Sequence, residues 1–453
     1  MGLSLPPSFF LFMPIVVFLL WGSVPDSVHG GNETDRLALL ASKAEITGDP
    51  LGILNSWNES VHFCQWVGVT CGHRHQRVTE LILSNGKLSG PISPHIGNLS
   101  FLRWLRLQNN SLSHDIPQEL GCLRRLKFRS LYNNSVTGEI PANISRCFNL
   151  IALEFTQNRL TGEIPTDLSC LSKLQGLYIA KNNLTRGVPA TIGNLSSLTI
   201  LYISYNNFGG NMPDSLGRLT NLETFVVAVN RLVGTIPSSI FNLSSITEFN
   251  IGQNQIKGIL PTNLGTSLSN LEFLGVGANL LTGSIPSSIS NATNLYYLVL
   301  VANNFTGKMP KLDKLHNLRW LYVSLNHLGI GETDDLSFLS SLINATDLEK
   351  LGLSDNGFGG VFPEVITNFS ISLFHVSLRD NKLYGSIPRG IRHLVNLRLF
   401  SIGNNHLTGN IPADFGKLQN LNLLWLEGNR FYADIPSSFR KLIHVTISRF
   451  VRK

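Results

Sequence analysis

One asparagine column constrains this chain more than any other feature. Asn stands at 110, 134, 158, 182, 206, 230, 254, 279, 303, 326, 356, 381, 405 and 429, and Gly86 holds an earlier place in the same frame. Leu105, Leu107, Leu112 and Ile116-Pro117 set the pattern around it, and Pro stands seven residues after the column in thirteen of the fifteen copies, from Pro117 to Pro436. A period of two dozen residues marks a solenoid, in which each copy contacts its neighbours and stacking builds one continuous core.

Each column has a physical reason. Leu-x-Leu supplies a short strand whose alternate side chains face inward. The Asn amide follows where the chain turns, and it can satisfy backbone groups that the turn leaves unpaired. No single copy can bury its own apolar set, so the copies must stack. With strands about 4.8 Å apart, fifteen copies make a curved rod of roughly 70 Å. The expected fold is an α/β solenoid, a curved right-handed superhelix. Arg129 occupies an inward strand position, where an unpaired charge is costly; the expectation is that it snorkels to the surface or marks relaxed selection.

Composition agrees with an ordered chain: 43% of residues are hydrophobic and 14% charged. The formal charge of +7 shows no Lys/Arg stripe interleaved with aromatics, which argues against nucleic acid as a partner. Phe9 to Trp21 is apolar apart from Pro14, and Val28-His29-Gly30 offers a cleavage site, so residues 1–30 read as a signal peptide. No later run is apolar enough to span a membrane. Export is also consistent with thirteen N-x-S/T acceptors, at Asn32, Asn58, Asn98, Asn109, Asn133, Asn143, Asn183, Asn194, Asn242, Asn291, Asn304, Asn344 and Asn368. The expected location is secreted or at the cell surface.

The copy Leu150-Ile151-Ala152-Leu153-Glu154-Phe155-Thr156-Gln157-Asn158-Arg159-Leu160-Thr161-Gly162-Glu163-Ile164-Pro165 resembles the plant-specific class of leucine-rich repeat. Trp57-Asn58 followed by Cys64-Gln65-Trp66-Val67-Gly68-Val69-Thr70-Cys71, with an amphipathic helix around Asp35 to Ala44, looks like that family's N-terminal cap. The resemblance implies a Cys64–Cys71 disulfide, with a metal site near His73 and His75 as the rival reading. The spacing from Asn326 to Asn356 widens to 30, and the inserted stretch from Gly329 to Leu342 is similar to one in the pathogen-sensing receptor-like kinases, the group of the rice bacterial-blight receptor. Relatives of that kind carry a closing cap, a membrane span and a Ser/Thr kinase. Here the frame fails after Leu442, Ser448 stands where an inward Leu belongs, and no second cysteine pair follows. The domains expected are therefore 1–30 signal peptide, 31–77 cap, 78–440 about fifteen repeats and 441–453 an incomplete repeat, in a truncated product without span or kinase.

No catalytic set is expected. Arg379-Asp380 only faintly resembles a kinase catalytic loop, and Gly275-x-Gly277 and Gly329-x-Gly331 lack the third glycine of a phosphate loop. Asp334-Asp335 reads as a solvated loop pair, with calcium as the weaker reading, so no metal and no small-molecule cofactor are expected. Cys122, Cys147 and Cys170 lie in three consecutive repeats; Cys147 fits the inward Leu column as a buried thiol, and a bridge between adjacent repeats is conceivable.

Binding is the function the pattern favours. Residues between the two inward Leu positions point out from the sheet, giving Tyr178, Tyr202 and Val226, then Val299 and Tyr322. Flanking outward positions add Tyr205, Val229, Tyr297, Val301, Trp320 and Leu325. Exposed aromatics stacked over several strands signal a partner, and His375, Arg379 and Asp380 are placed to fix a peptide's charged end. The expected role is recognition of a peptide or protein ligand in plant defence, with a membrane co-receptor kinase supplying the signal. Two rivals stand beside it: a secreted inhibitor of pathogen enzymes, and a non-functional receptor fragment.

Overall fold

The computed structural model describes residues 31–432, 436–442 and 446–447. The expected signal peptide, and Ser448 with the rest of the terminal tail, lie outside the described residues.

The chain opens on a helix, Gly31–Glu45, which contains the expected Asp35 to Ala44 segment. Asp35 is fully buried and accepts hydrogen bonds from Arg77 Nε (2.9 Å), Arg77 Nη2 (2.8 Å) and the Val78 amide (2.8 Å). A buried carboxylate with three donors latches the helix to the first repeat. Trp57 stacks on Trp66 at 5.5 Å and its indole donates to the Val67 carbonyl. Cys64 and Cys71 are disulfide-bonded.

From there a seventeen-stranded sheet runs the length of the molecule. Val69–Cys71 pairs antiparallel with Val78–Ile82, and every later strand pairs parallel with the one a repeat away, from Trp104–Arg106 to Thr446–Ile447. Register is strict: Leu201 aligns with Leu177 and with Phe225. These middle residues are fully buried, whereas most of the residues flanking them on each strand keep part of their surface exposed on the concave face.

The Asn column works as the sequence suggests. Asn134 Oδ1 accepts from the Leu112 amide at 3.0 Å, and its Nδ2 donates to the carbonyls of Leu107 (3.0 Å) and Leu131 (3.1 Å). The same three bonds recur at Asn279 and Asn405. Most repeats then cross to a five-residue 3-10 helix on the convex side, such as Gln118–Cys122, entered through a proline whose φ suits that turn. Successive helices press closely there: a Cβ on Gly121 collides with the Asn143 carbonyl.

Arg129 corrects one expectation. It does not snorkel but lies fully buried between Leu105 and Leu153 in the register of the sheet. Its guanidinium packs over the Phe155 ring at 4.7 Å, and none of its three nitrogens has a hydrogen-bond partner among the described residues. The Asp334-Asp335 pair is likewise not simply solvated. Asp335 is buried and accepts from the amides of Ile330, Gly331, Glu332 and Gly359, so it organises the insertion from inside. Asp334 is exposed and pairs with Lys308.

Candidate functional site

The concave strands expose two residues each, and their sizes vary sharply along the sheet. At Glu248–Asn250 and Phe273–Gly275 the outward positions include Gly275, and the turns that follow add Gly252, Gly277 and Ala278. The missing side chains leave a hollow of about 370 Å³. Tyr202, Tyr205, Val226 and Val229 line one wall; Phe273, Val299 and Val301 line the other. Its one carboxylate is Glu248, which burial pushes above the ordinary carboxylate range. Apolar walls around a single oriented acceptor can seat an extended chain and fix one donor of it.

The far wall continues as an aromatic run. Ring centroids step from Phe273 to Tyr297 (6.0 Å), to Trp320 (4.6 Å), to Tyr322 (6.3 Å) and to His375 (5.9 Å). Trp320 is held in place from two sides: its indole donates to Glu349 Oε2 at 3.0 Å, and Lys350 Nζ sits 3.8 Å from its ring. Burial, and secondarily the Lys350 charge, lower the pKa of His375, which favours a neutral imidazole at the end of this run.

Of the residues singled out in the sequence, Tyr202, Tyr205, Val226 and Val299 converge on the hollow, and Tyr297, Trp320, Tyr322 and His375 form the run beside it. Tyr178 lies one strand outside, in register with Tyr202. Arg379 stands apart and is already engaged, by Asp380 at 2.7 Å and Glu427 at 3.3 Å, with Trp425 under its guanidinium. Phe273, Glu248, Lys350 and the floor glycines escape the sequence argument, which took the position before the first leucine only at Tyr297 and Trp320. That position shares the outward face of the residue between the two leucines, two positions away, and was the available signal.

Backbone strain marks the same place. The position before each column Asn is left-handed, with φ between 50° and 61° at most copies, and besides three bulky exceptions it holds Asn, Gln, Lys, Asp, Ala or Gly. Tyr205 (φ 54°), Val229 (φ 55°) and Leu325 (φ 56°) depart from that choice, and Tyr205 and Leu325 are each 51% exposed. A β-branched residue is poorly suited to this conformation, which Asn tolerates. Val229→Asn is therefore expected to raise stability by about 1 kcal/mol, read as a higher thermal midpoint; an unchanged or lower midpoint contradicts the strain.

None of the thirteen acceptor asparagines is buried, and none falls on a concave strand. Asn98, Asn194, Asn242, Asn291 and Asn368 each end a convex 3-10 helix. Of the three remaining cysteines, Cys122 and Cys170 are exposed and Cys147 is buried, all as free thiols.

Comparison with known proteins places the cap and the repeats among described families. Residues 32–72 match the leucine rich repeat N-terminal domain, and 101–123, 197–219 and 396–418 match the Leucine Rich Repeat. The LRR receptor-like serine/threonine-protein kinase EFR of Arabidopsis thaliana is 46% identical over 101 residues, covering 22% of this chain and 10% of the relative. Receptor kinase-like protein Xa21 of Oryza sativa subsp. japonica is 49% identical over 84 residues, covering 17% and 8%. The Arabidopsis receptor kinase HAESA, solved in complex with the peptide hormone IDA and the co-receptor SERK1, superposes with a TM-score of 0.67 at 26% identity, over 92% of this chain and 81% of that one.

The chain carries plant-type leucine-rich repeats and their N-terminal domain, and the curated relatives named here are plant leucine-rich-repeat receptor kinases. The family, with a rice receptor kinase among the matches, agrees with the resemblance read from the repeat, the cap and the insertion. The chain spans a tenth or less of the length of these curated relatives. Among the described residues no helix is long and apolar enough to cross a membrane, and no group of three or more metal-ligating side chains occurs.

Proposed function

We propose that this receptor chain recognises an extended peptide across its concave face, from the strand of Tyr178 to that of His375, and that it performs no catalysis itself. The hollow carries the reading: a groove floored by Gly252, Gly275 and Gly277 admits a backbone, and the aromatic walls offer large, rigid apolar contact with little rotamer entropy to lose. Glu248 on the floor suits a donor or an ammonium group of the ligand. A similar receptor kinase solved with a peptide hormone and a co-receptor supports the same use here, with a membrane co-receptor kinase as second partner and the cell exterior as the setting. Defence signalling, as in the subfamily the insertion resembles, is the context that fits.

The test uses peptides selected from a displayed library of extended sequences on the purified chain. Replacing Tyr202 and Tyr322 together by Ala should weaken the selected peptides at least about tenfold, since central aromatic anchors contribute about 2 kcal/mol or more when truncated. Undiminished affinity rejects this face.

A further inference from the structure

We propose that the concave face carries a further subsite, at Arg106, which takes an acidic side chain of the bound peptide. This subsite rests on the peptide reading above, and it specifies the charge that the ligand presents to the N-terminal strands, beyond Tyr178.

Charge on this face is sparse and uneven. The outward positions of the concave strands, from Val78–Ile82 to Trp320–Tyr322, hold three carboxylates, Glu80, Glu154 and Glu248, and one cation, Arg106. The Arg106 side chain makes no ion pair and no hydrogen bond among the described residues. Glu80 stands one strand before it and Glu154 two strands after, and neither reaches it; Glu154 accepts instead from the Thr156 amide at 2.9 Å. The guanidinium is nevertheless fixed in place. Its carbon lies 5.3 Å from the ring centroids of both Trp104 and Phe128, and those rings are 5.7 Å apart. Cation–π contact with the rings occupies the flat side of the guanidinium and leaves its N–H edge open. All three side chains are half-buried, so little rotamer freedom remains to be lost on binding.

An edge made only of N–H donors calls for an acceptor-rich partner, and a carboxylate fits it in bidentate fashion. Position selects the bearer of that carboxylate. Arg106 shares one sheet face with the wall of the hollow, three strand steps from Tyr178, roughly 14 Å or about four extended residues. The floor between them is low: Ser130 and Ala152 are small, and the Tyr178 ring lies over Gly176, where a Cβ would collide with it. A peptide that runs on past Tyr178 meets Glu154 and then Arg106. Counted from Arg106, Glu154 follows after roughly 10 Å and Glu248 after roughly 29 Å, about three and about eight or nine extended residues. The face therefore reads a charge series, an acid first and bases at those two intervals.

The experiment selects displayed peptides on the full chain, on Arg106→Gln and on Arg106→Glu, and measures the affinity of synthetic copies. The natural chain should enrich Asp or Glu at one position, with Lys or Arg about three and about eight or nine residues away. Arg106→Gln should lose the acidic preference alone, and Arg106→Glu should replace it by Lys or Arg. In a selected peptide, changing the acid to Gln should weaken binding to the natural chain at least about tenfold and leave binding to Arg106→Gln unchanged. Changing it to Lys should restore affinity on Arg106→Glu. Equal thermal midpoints of the three chains show that the fold is intact. Peptides without an acidic preference, or with one that persists in Arg106→Glu, overturn this subsite, while their dependence on Tyr202 and Tyr322 still carries the peptide reading. A loss on amidating the peptide's C-terminus that disappears in Arg106→Gln overturns the side-chain assignment. A library that yields no binder overturns both readings.

Discussion

Arg129→Leu should stabilise the N-terminal repeats by about 4 kcal/mol. A fully buried guanidinium with no hydrogen-bond partner carries its desolvation cost uncompensated. Burial lowers its pKa to about 9, so the site penalises the charged form. Leucine at this point continues the inward column that Leu105 and Leu153 already define. Because a solenoid unfolds by neighbouring repeats rather than as one unit, the gain belongs in hydrogen exchange of the strands Trp104–Arg106 and Ala152–Glu154, which should slow together.

The pH dependence gives the same prediction a second handle. Above pH 9 the unfolded chain holds the Arg129 proton while the folded one releases it, so this group makes stability rise with pH there, with its full penalty present below pH 9. Burial pushes the neighbouring Cys147 thiol the other way, up to about 11 from 9, so the folded chain keeps that proton and stability falls between pH 9 and 11. The two slopes cancel from pH 9 to 11 in the natural chain. Arg129→Leu should expose the thiol's slope, a fall of about 1.4 kcal/mol per pH unit, and Cys147→Ala should expose the opposite rise. Equal midpoints for the natural chain and Arg129→Leu at pH 8, or parallel pH profiles, contradict this account of the buried charge.

Asn279→Ala should cost about 3 kcal/mol and disable the hollow as well. Asn279 Oδ1 accepts from the Ile256 amide at 3.0 Å, while its Nδ2 donates to the Ile251 and Val276 carbonyls, both at 3.0 Å. Removing the amide leaves these buried groups unsatisfied at about 1–3 kcal/mol each, partly relieved by local relaxation. Its Nδ2 also reaches the carbonyl of Gly277, part of the floor, so the groove should lose its shape where the ligand would lie. Asn279→Asp is the sharper control: it keeps the acceptor but turns a carboxylate oxygen toward two carbonyls, and should be at least as damaging. Thermal unfolding reads both, with Asn207→Ala, an exposed bond to Asn183, as the comparison expected to change little. If Asn279→Ala unfolds within about 0.5 kcal/mol of the natural chain, the amide ladder is not what holds the turns.

The fold was legible because its determinants repeat. Asn134, Asn279 and Asn405 make the same three bonds, so one column read along the sequence describes all of them. Individual departures were harder. Arg129 looks in sequence like a side chain that reaches solvent, yet the sheet on either side closes over it. Asp335 looks like a loop acid, and only the path of the insertion turns four amides toward it. The concave face was half legible: Tyr202, Val226 and Val299 lie in the outward column between the leucines, but the hollow is defined as much by what is absent at Gly252, Gly275 and Gly277. An absent side chain acquires meaning only once the neighbouring walls, Tyr205 and Phe273, are placed in space.

Peptide capture on the inner wall is most directly tested by a photo-crosslinking residue placed at Val299, with one at the convex position Ser239 as its counterpart, exposed to small secreted peptides from plant tissue. The concave-face account predicts a discrete peptide adduct at 299, suppressed by Tyr202→Ala with Tyr322→Ala, and none at 239. Equal labelling at both positions, or an adduct confined to 239, would contradict it.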